Sequence, residues 1–270
     1  MKRRGLPDAA LRADARRLYG ADPAGYEAGR PDYPERIYEL LATRCGVRKG
    51  TRVLEIGPGT GRVTRQLAAL GAEVVVVEPD RTLAARLEGQ SGGPPGEVIC
   101  GSFEDAALPD SHFDVVVAAM SFHWVDQKVG LPKLRRVVCP GGWVALWWTV
   151  FGDPSRPDRF DESTRHLTKS LVSATLAENP GPFELDVARW RQDLEQRAGL
   201  IHVAAELVAW TARFDIERLR AFYGSMIAVR RLAESERERL LDGLADVASR
   251  MFGGTLERPF VTAVYTGRRP

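Results

Sequence analysis

Short runs of adjacent apolar residues alternate along this chain with stretches in which apolar residues recur every three or four positions. Val53, Leu54 and Ile56 make the first such run. Gly57, Gly59 and Gly61 follow at alternate positions, residues 60–70 take the helical spacing, and a second run over 74–77 ends on Glu78. Strand, glycine turn, helix and a strand closed by a carboxylate form the βαβ unit of a nucleotide crevice. The glycines let backbone N–H groups approach a ligand, and the terminal carboxylate can take the two hydroxyls of a ribose.

The same alternation continues. Asp80 is placed to cap a helix reaching 88, a glycine/proline loop occupies 90–96, and 97–101 reads as a third strand. Residues 113–119 are apolar almost without a break, as a central strand covered on both faces should be. A helix over 126–138, a turn at Pro140-Gly141-Gly142 and a fifth strand over 143–150 follow. Together these specify an α/β doubly wound, mostly parallel sheet. Residues 151–182 leave the rhythm, with prolines at 154, 157, 180 and 182 and a helical pattern over 160–176 between them. An insertion there stands at the carboxyl edge of the sheet, where ligands bind, and reads as a lid. A helix at 188–199, a sixth strand at 200–211, two helices at 215–232 and 234–251, and a last run at 258–266 that alternates like an edge strand complete the chain. Ahead of the core, a short arginine-rich helical pattern surrounds Leu11 and Leu18. Pro31 and Pro34 then keep 26–34 out of regular helix, and 37–45 reads as an amphipathic helix. The chain therefore divides into an arm or cap (1–34), a nucleotide-binding core (35–150), the lid (151–182) and the remaining half of the sheet with a helix pair (183–270).

Composition narrows this picture. A net charge of +2 over 270 residues supplies no global field for nucleic acid or an anionic membrane. No apolar run approaches the roughly 20 residues of a membrane span, and the basic start of the chain lacks the apolar segment of a secretory signal. Cys45, Cys100 and Cys139 are too few and too scattered for a disulfide framework or a zinc site, and fit a reducing cytoplasm. No metal-ligand spacing is present. The sequence is silent on oligomeric state.

At Glu55-Ile-Gly-Pro-Gly-Thr-Gly61 with Glu78 the chain resembles the class I S-adenosylmethionine-dependent methyltransferases. A dinucleotide loop is G-x-G-x-x-G, whereas here the third glycine comes one residue sooner, and an acid stands two residues before the first glycine. Gly101-Ser-Phe-Glu-Asp105 resembles the family's adenine-contacting turn, 113–119 its fourth strand, and Pro140-Gly-Gly142 the turn before its fifth. Within the class, Tyr26…Arg30-Pro-Asp-Tyr33 and Ser121-Phe-His123-Trp124-Val-Asp126 are similar to the bacterial small-molecule branch that includes the trans-aconitate methyltransferase-like group. The resemblance implies a Rossmann-like seven-stranded sheet with its last strand antiparallel and inserted between strands five and six. It implies S-adenosyl-L-methionine as cofactor and methyl transfer to a small-molecule acceptor in bacterial secondary metabolism, without a metal, nucleic acid or membrane partner. A dinucleotide-dependent oxidoreductase, and a scaffold, regulator or cyclase on the same fold, are the competing readings.

The candidate site residues follow. Glu55, Gly57, Gly59, Gly61, Glu78 and Pro79 would hold the amino-acid and ribose parts of the cofactor. Phe103 would pack on its adenine, and either Ser102 or Glu104 would read the ring edge, with Ala119 at the end of the fourth strand beside them. Arg30 and Tyr26 would cover the methionine end, where aromatic faces suit a sulfonium. Tyr33, His123, Trp124 and Trp148 would line the acceptor pocket. His123 is the candidate general base, since an imidazole titrates near neutrality. His112, His166 and His202 have no motif around them.

Overall fold

A computed structural model describes residues 22–89, 96–169 and 181–270. The helical pattern at Leu11 and Leu18, most of the loop at 90–96 and the distal half of the expected lid helix lie outside those residues.

One seven-stranded sheet runs through the molecule in the order β3-β2-β1-β4-β5-β7-β6. Its strands are β1 (Arg52–Ile56), β2 (Glu73–Glu78), β3 (Glu97–Cys100), β4 (Phe113–Ala119), β5 (Val138–Val150), β6 (Ile201–Asp215) and β7 (Thr255–Arg268). β1 to β5 pair in parallel, and β7 is antiparallel to both of its neighbours. The apolar run of β4 explains its central place. From Val115 to Ala118 its side chains alternate between two cores, Val116 and Ala118 facing one and Val115 and Val117 the other. The tryptophans of β5 obey the same rule: Trp147 packs with Ile37, Leu40 and Leu41 of helix α2 (Glu35–Thr43), and Trp148 enters the opposite layer. Helices α3 (Arg62–Ala69), α4 (Arg81–Glu88) and α5 (Gln127–Val137) connect the parallel strands. Asp80 and Asp126 cap α4 and α5 by accepting backbone N–H groups of their first turns.

Beyond the sheet's carboxyl edge, β6 and β7 overrun β5 and continue as a two-stranded ribbon to Asp215 and Thr255. On that ribbon sits a third core, with Phe160, Phe214, Phe222, Leu244 and Phe260 buried among one another. It is built by helices α6 (Arg159–Thr168), α8 (Ile216–Gly224) and α10 (Glu234–Phe252). The short helices α7 (Val187–Gln192) and α9 (Ile227–Arg230) lie in the connections. The first half of the expected lid is therefore bound into this cap: Phe160 of α6 is 1% exposed, and Asp158 ahead of it forms an ion pair at 2.8 Å with buried Arg258 of β7.

Four local expectations are corrected. Residues 23–29 form a helix, α1 (Pro23–Gly29). Asp22 caps it, and the prolines at 31 and 34 restrict only the residues after its end. α1 lies so close to α8 that a Cβ on Gly29 would stand 2.4 Å from the Phe222 nitrogen. Pro140-Gly141-Gly142 is a bulge inside β5: Phe113 pairs Val138 and Val115 already pairs Trp143. Gly141, at φ +77°, makes that detour. The last strand, edge-like in its alternation, is interior, between β5 and β6 as the resemblance implies, and β6 holds the edge. Residues 188–199 are also not one helix, since α7 passes into a π-turn over Asp193–Arg197.

Candidate functional site

The carboxyl ends of β1, β2 and β4 open into one cavity, roofed by α1 and the cap. β1 delivers the glycine loop to it. Gly57, Gly59 and Gly61 all sit at positive φ, between +59° and +79°. A Cβ at Gly57 would meet the Ser121 Cβ at 2.7 Å, so the loop can pass β4 only without a side chain there. A Cβ at Gly59 would meet nothing within 4 Å, because that residue faces the void. Gly61 does not line the cavity: it is the left-handed N-cap of α3.

Glu78 closes β2 and is 4% exposed. Its carboxylate accepts the Gly59 N–H at 3.0 Å and the Asp80 N–H at 2.9 Å, so the acid organises the glycine loop as well as facing the cavity. Glu55 is buried one strand away and accepts the Thr64 hydroxyl at 2.6 Å. Burial pushes its pKa up to about 7, with the Glu78 charge adding to that and the Thr64 bond opposing it.

The turn after β3 brings Phe103 and Glu104 to the wall. Lys133 pins this turn by donating to the carbonyls of Glu104 and Ala106, at 3.1 and 2.6 Å. Glu104 accepts the Asp126 N–H at 2.7 Å through Oε1, and its Oε2 is buried without a partner among the described residues. Ser102 is turned away, bonding Asp105 at 2.6 Å, and does not line the cavity. Pro79, Ala119 and Tyr26 do line it.

Arg30, 8% exposed, comes from the segment after α1. Its Nε donates to Ser225 at 2.9 Å, and its guanidinium lies 4.4 Å from the Phe151 ring centroid and 5.2 Å from Tyr26 and Phe222. No carboxylate of the described residues pairs with it, so a cation held by aromatic faces borders the void. Tyr33 sits edge-on to Trp147 at 5.8 Å, and burial raises its hydroxyl pKa well above the usual phenol value.

β4 ends in Met120, a non-glycine residue at φ +53°, followed by the 3-10 turn Phe122–Trp124. This strained turn sets His123 and Trp124 in the wall. Trp148 does not reach the cavity, which corrects the expectation for it. It is fully buried, stacked on Trp190 at 4.3 Å, because the layer below β5 is filled by α7. Its indole N–H donates to His123 Nδ1 at 3.0 Å. Indole is a donor only, so Nδ1 must carry the lone pair and the neutral ring must carry its hydrogen on Nε2. Burial holds the His123 pKa down, at about 3. The expected general base is thus a neutral imidazole whose basic nitrogen is already used, and it presents an N–H donor instead.

Residues that the sequence reading missed complete the walls: Met120, Ser121, Arg62, Phe151, Glu184 and Trp210. Arg62 had a signal, as a cation in the first turn behind the glycines; it ties the arm down by donating to Asp32 and to the carbonyls of Arg30 and Glu27. Glu184 had none, since it lies in a proline-rich stretch without periodicity. Among the described residues there is no cluster of His, Cys, Asp and Glu able to hold a metal, and no helix long and apolar enough to cross a membrane.

The strand order, the reversed seventh strand and a glycine loop facing an acid-capped β2 define the class I methyltransferase fold. Residues 54–146 match the methyltransferase domain family. It is 34% identical over 139 residues to an uncharacterized methyltransferase of Mycobacterium tuberculosis, covering 52% of this chain and 55% of that one. It is 30% identical over 159 residues to a malonyl-[acyl-carrier protein] O-methyltransferase of Pseudescherichia vulneris, covering 57% and 59%. The chain thus spans little more than half the length of these relatives. A solved methyltransferase of an antibiotic biosynthesis pathway from Anabaena variabilis superposes with a TM-score of 0.61 at 17% identity, over 88% of this chain and 98% of its own. A [4+2]-cyclase shares the fold at a TM-score of 0.56 and 16% identity, over 99% of both chains.

Proposed function

We propose that this chain transfers a methyl group from S-adenosylmethionine to a small-molecule acceptor. The observation that carries the reading is one continuous cavity with two unlike walls. The glycine loop, Glu78, Phe103 and Glu104 form an acceptor-rich side. His123, Trp124, Phe151 and Trp210 form an aromatic side.

The residues fit the cofactor. Glu78 has lone pairs beyond those used by Gly59 and Asp80, as a ribose diol requires. Buried Glu104 Oε2 is an acceptor for an exocyclic amine, a cost of about 1–3 kcal/mol if left unmade. Glu55 suits an ammonium group and Arg30 a carboxylate. When bound, S-adenosylmethionine supplies an activated methyl on a sulfonium, so the protein's work is alignment and exclusion of water. The rings of Trp124, Tyr26, Phe151 and Trp210 supply the dry wall, and Arg62 holds the arm closed over it. Of the sequence candidates for reading the adenine edge, Glu104 is better placed than Ser102. Phe151 and the cap's Trp210 border the acceptor end, and we place the reaction in the cytoplasm, with a secondary metabolite as the acceptor class.

Calorimetry tests this directly. One-to-one binding of S-adenosylmethionine and S-adenosylhomocysteine is expected, weakened at least tenfold (about 1.4 kcal/mol) by Glu78→Ala. Absence of binding, or preferential binding of a reduced nicotinamide dinucleotide, refutes the reading. Binding of the cofactor without consumption in the presence of acceptors points to the cyclase or scaffold alternative.

A further inference from the structure

Among the cavity residues, Glu184 has no part in the cofactor reading. It sits in the 3-10 turn Phe183–Leu185, ahead of α7. Two buried rings hold that turn from below. Trp190 Nε1 donates to the Phe183 carbonyl at 3.1 Å, and the Tyr265 hydroxyl donates to the Glu184 carbonyl at 2.6 Å. Both rings are fully buried and belong to the layer that stacks on Trp148. The backbone under Glu184 is therefore fixed to the core, and its side chain lines the void. No cation of the described residues pairs with its carboxyl group. The Phe183 ring lies 5.5 Å from His123 and 6.2 Å from Trp148, so the turn and the imidazole share one wall. His123 is oriented by the same layer, through the Trp148 indole.

That wall thus carries one carboxyl on a fixed backbone and one oriented N–H donor, the His123 Nε2–H, over apolar rings. Each head group can be tried against the pair. A carboxylate would meet the like charge of Glu184. An alkylammonium has no lone pair for the imidazole N–H. A hydroxyl satisfies both, donating its hydrogen to the carboxylate while its oxygen accepts from His123.

We propose that Glu184 is the proton acceptor of the reaction and His123 the donor that holds the nucleophilic oxygen, so that the acceptor subsite takes a neutral, apolar-bodied hydroxyl compound. This rests on the methyl-transfer reading above. In the step, the acceptor's O–H bond breaks and its proton passes to Glu184. An oxygen electron pair forms the new C–O bond to the methyl carbon. The pair of the broken C–S bond stays on sulfur, which goes from cationic sulfonium to neutral thioether. The proton leaves Glu184 to water when the product departs. Burial pushes the Glu184 pKa up to about 7, which matches a base working near neutrality.

Three molecules of one shape separate the head groups: 2-naphthol, 2-naphthoate and 2-naphthylmethylamine. Each is offered to the full chain with S-adenosylmethionine, and released S-adenosylhomocysteine and product mass are measured. Turnover of 2-naphthol at least tenfold above the other two is expected, rising with pH through about 7. Glu184→Gln should lower kcat on 2-naphthol by about 10² or more and remove that rise, with KM for S-adenosylmethionine unchanged. Glu184→Asp should restore the rise in part. His123→Phe should raise KM for 2-naphthol about tenfold. Unchanged cofactor affinity of Glu184→Gln by calorimetry shows that the variant is folded. Preference for the naphthoate or the amine overturns the inference, as does turnover of none of the three by a chain that binds the cofactor. Wild-type kcat and pH profile in Glu184→Gln overturns it too. A chain that does not bind S-adenosylmethionine fails the methyl-transfer reading instead.

Discussion

Replacing Trp148 with Phe tests the chemistry assigned to His123 at its root. The indole N–H is what fixes the ring hydrogen on Nε2. Removing it deletes one hydrogen bond, about 1 kcal/mol. It also removes the smaller ring of a side chain that is fully buried and stacked on Trp190 at 4.3 Å. A void of roughly 40 Å³ at about 24 cal/mol per Å³ adds about 1 kcal/mol. The total is about 2 kcal/mol, read from urea unfolding followed by circular dichroism. The more telling measurement is nitrogen NMR of histidine-labelled protein, with His123 assigned by its loss in His123→Asn. The wild-type ring should show the Nε2–H tautomer and stay neutral from pH 8 to 5, since its pKa is held at about 3 by burial. The variant should show mixed tautomers. A wild-type His123 that titrates near 6.5, or carries its hydrogen on Nδ1, would sink the donor role and return the imidazole to general-base duty.

Asp158→Asn should destabilise the fold by about 3–5 kcal/mol in chemical denaturation, because it leaves Arg258, 2% exposed, as an unpaired buried cation. Replacing both by leucine and methionine should recover most of that loss; no recovery would show that the pair acts through more than its charge. Gly57→Ala should abolish binding of S-adenosylmethionine measured by calorimetry, since the new methyl meets Ser121 at 2.7 Å on a left-handed backbone, whereas Gly71→Ala, remote from the cavity, should leave affinity intact. Glu55 binds its proton more tightly folded than unfolded, so its contribution is fully present below about pH 4.5 and lost as pH rises through about 7. Against Glu55→Gln, the ligand-free wild type should therefore lose up to about 3 kcal/mol of relative stability across that window. Equal slopes for the two in urea titrations at pH 4.5 and 7.5 would contradict a buried, largely neutral Glu55.

The parallel half of the fold is legible because its signals are local. A strand covered on both faces must be apolar nearly throughout, and Phe113–Ala119 is, with Asp114 at its entrance the exception. Glycine at alternate positions after β1 has few uses besides a tight turn against a ligand. The errors occur where local chemistry is overruled at long range. Pro140-Gly141-Gly142 has turn composition, yet the pairing of β4 on one side and β7 on the other carries the strand through it as a bulge. The last strand alternates like an edge, yet β6 covers it. The helix at Pro23–Gly29 is stabilised by packing on α8, nearly two hundred residues away.

The site divides in the same way. The cofactor side is built from contiguous segments, each of which carries its own motif, so Gly57, Gly59, Glu78 and Phe103 can be named from the chain alone. The acceptor side is assembled from single residues on five distant segments, among them Arg30, Phe151, Glu184 and Trp210. Of these only Arg30 lies in a stretch of sequence that marks it. His123 shows why even a residue that lies on the cavity wall as expected can be misread. Its position after β4 is a property of its own segment, but its protonation state is set by an indole 25 residues on. That indole was itself expected in the pocket wall. Alternation correctly puts Trp148 on the opposite face from Trp147. What alternation cannot show is that α7 fills the space beneath it and turns its N–H toward the imidazole. One misplacement therefore entails the other: with Trp148 in the wall, His123 keeps a free basic nitrogen. With Trp148 in the core, the proton acceptor must be found elsewhere on the wall, and Glu184 is the carboxyl group there that the cofactor does not claim.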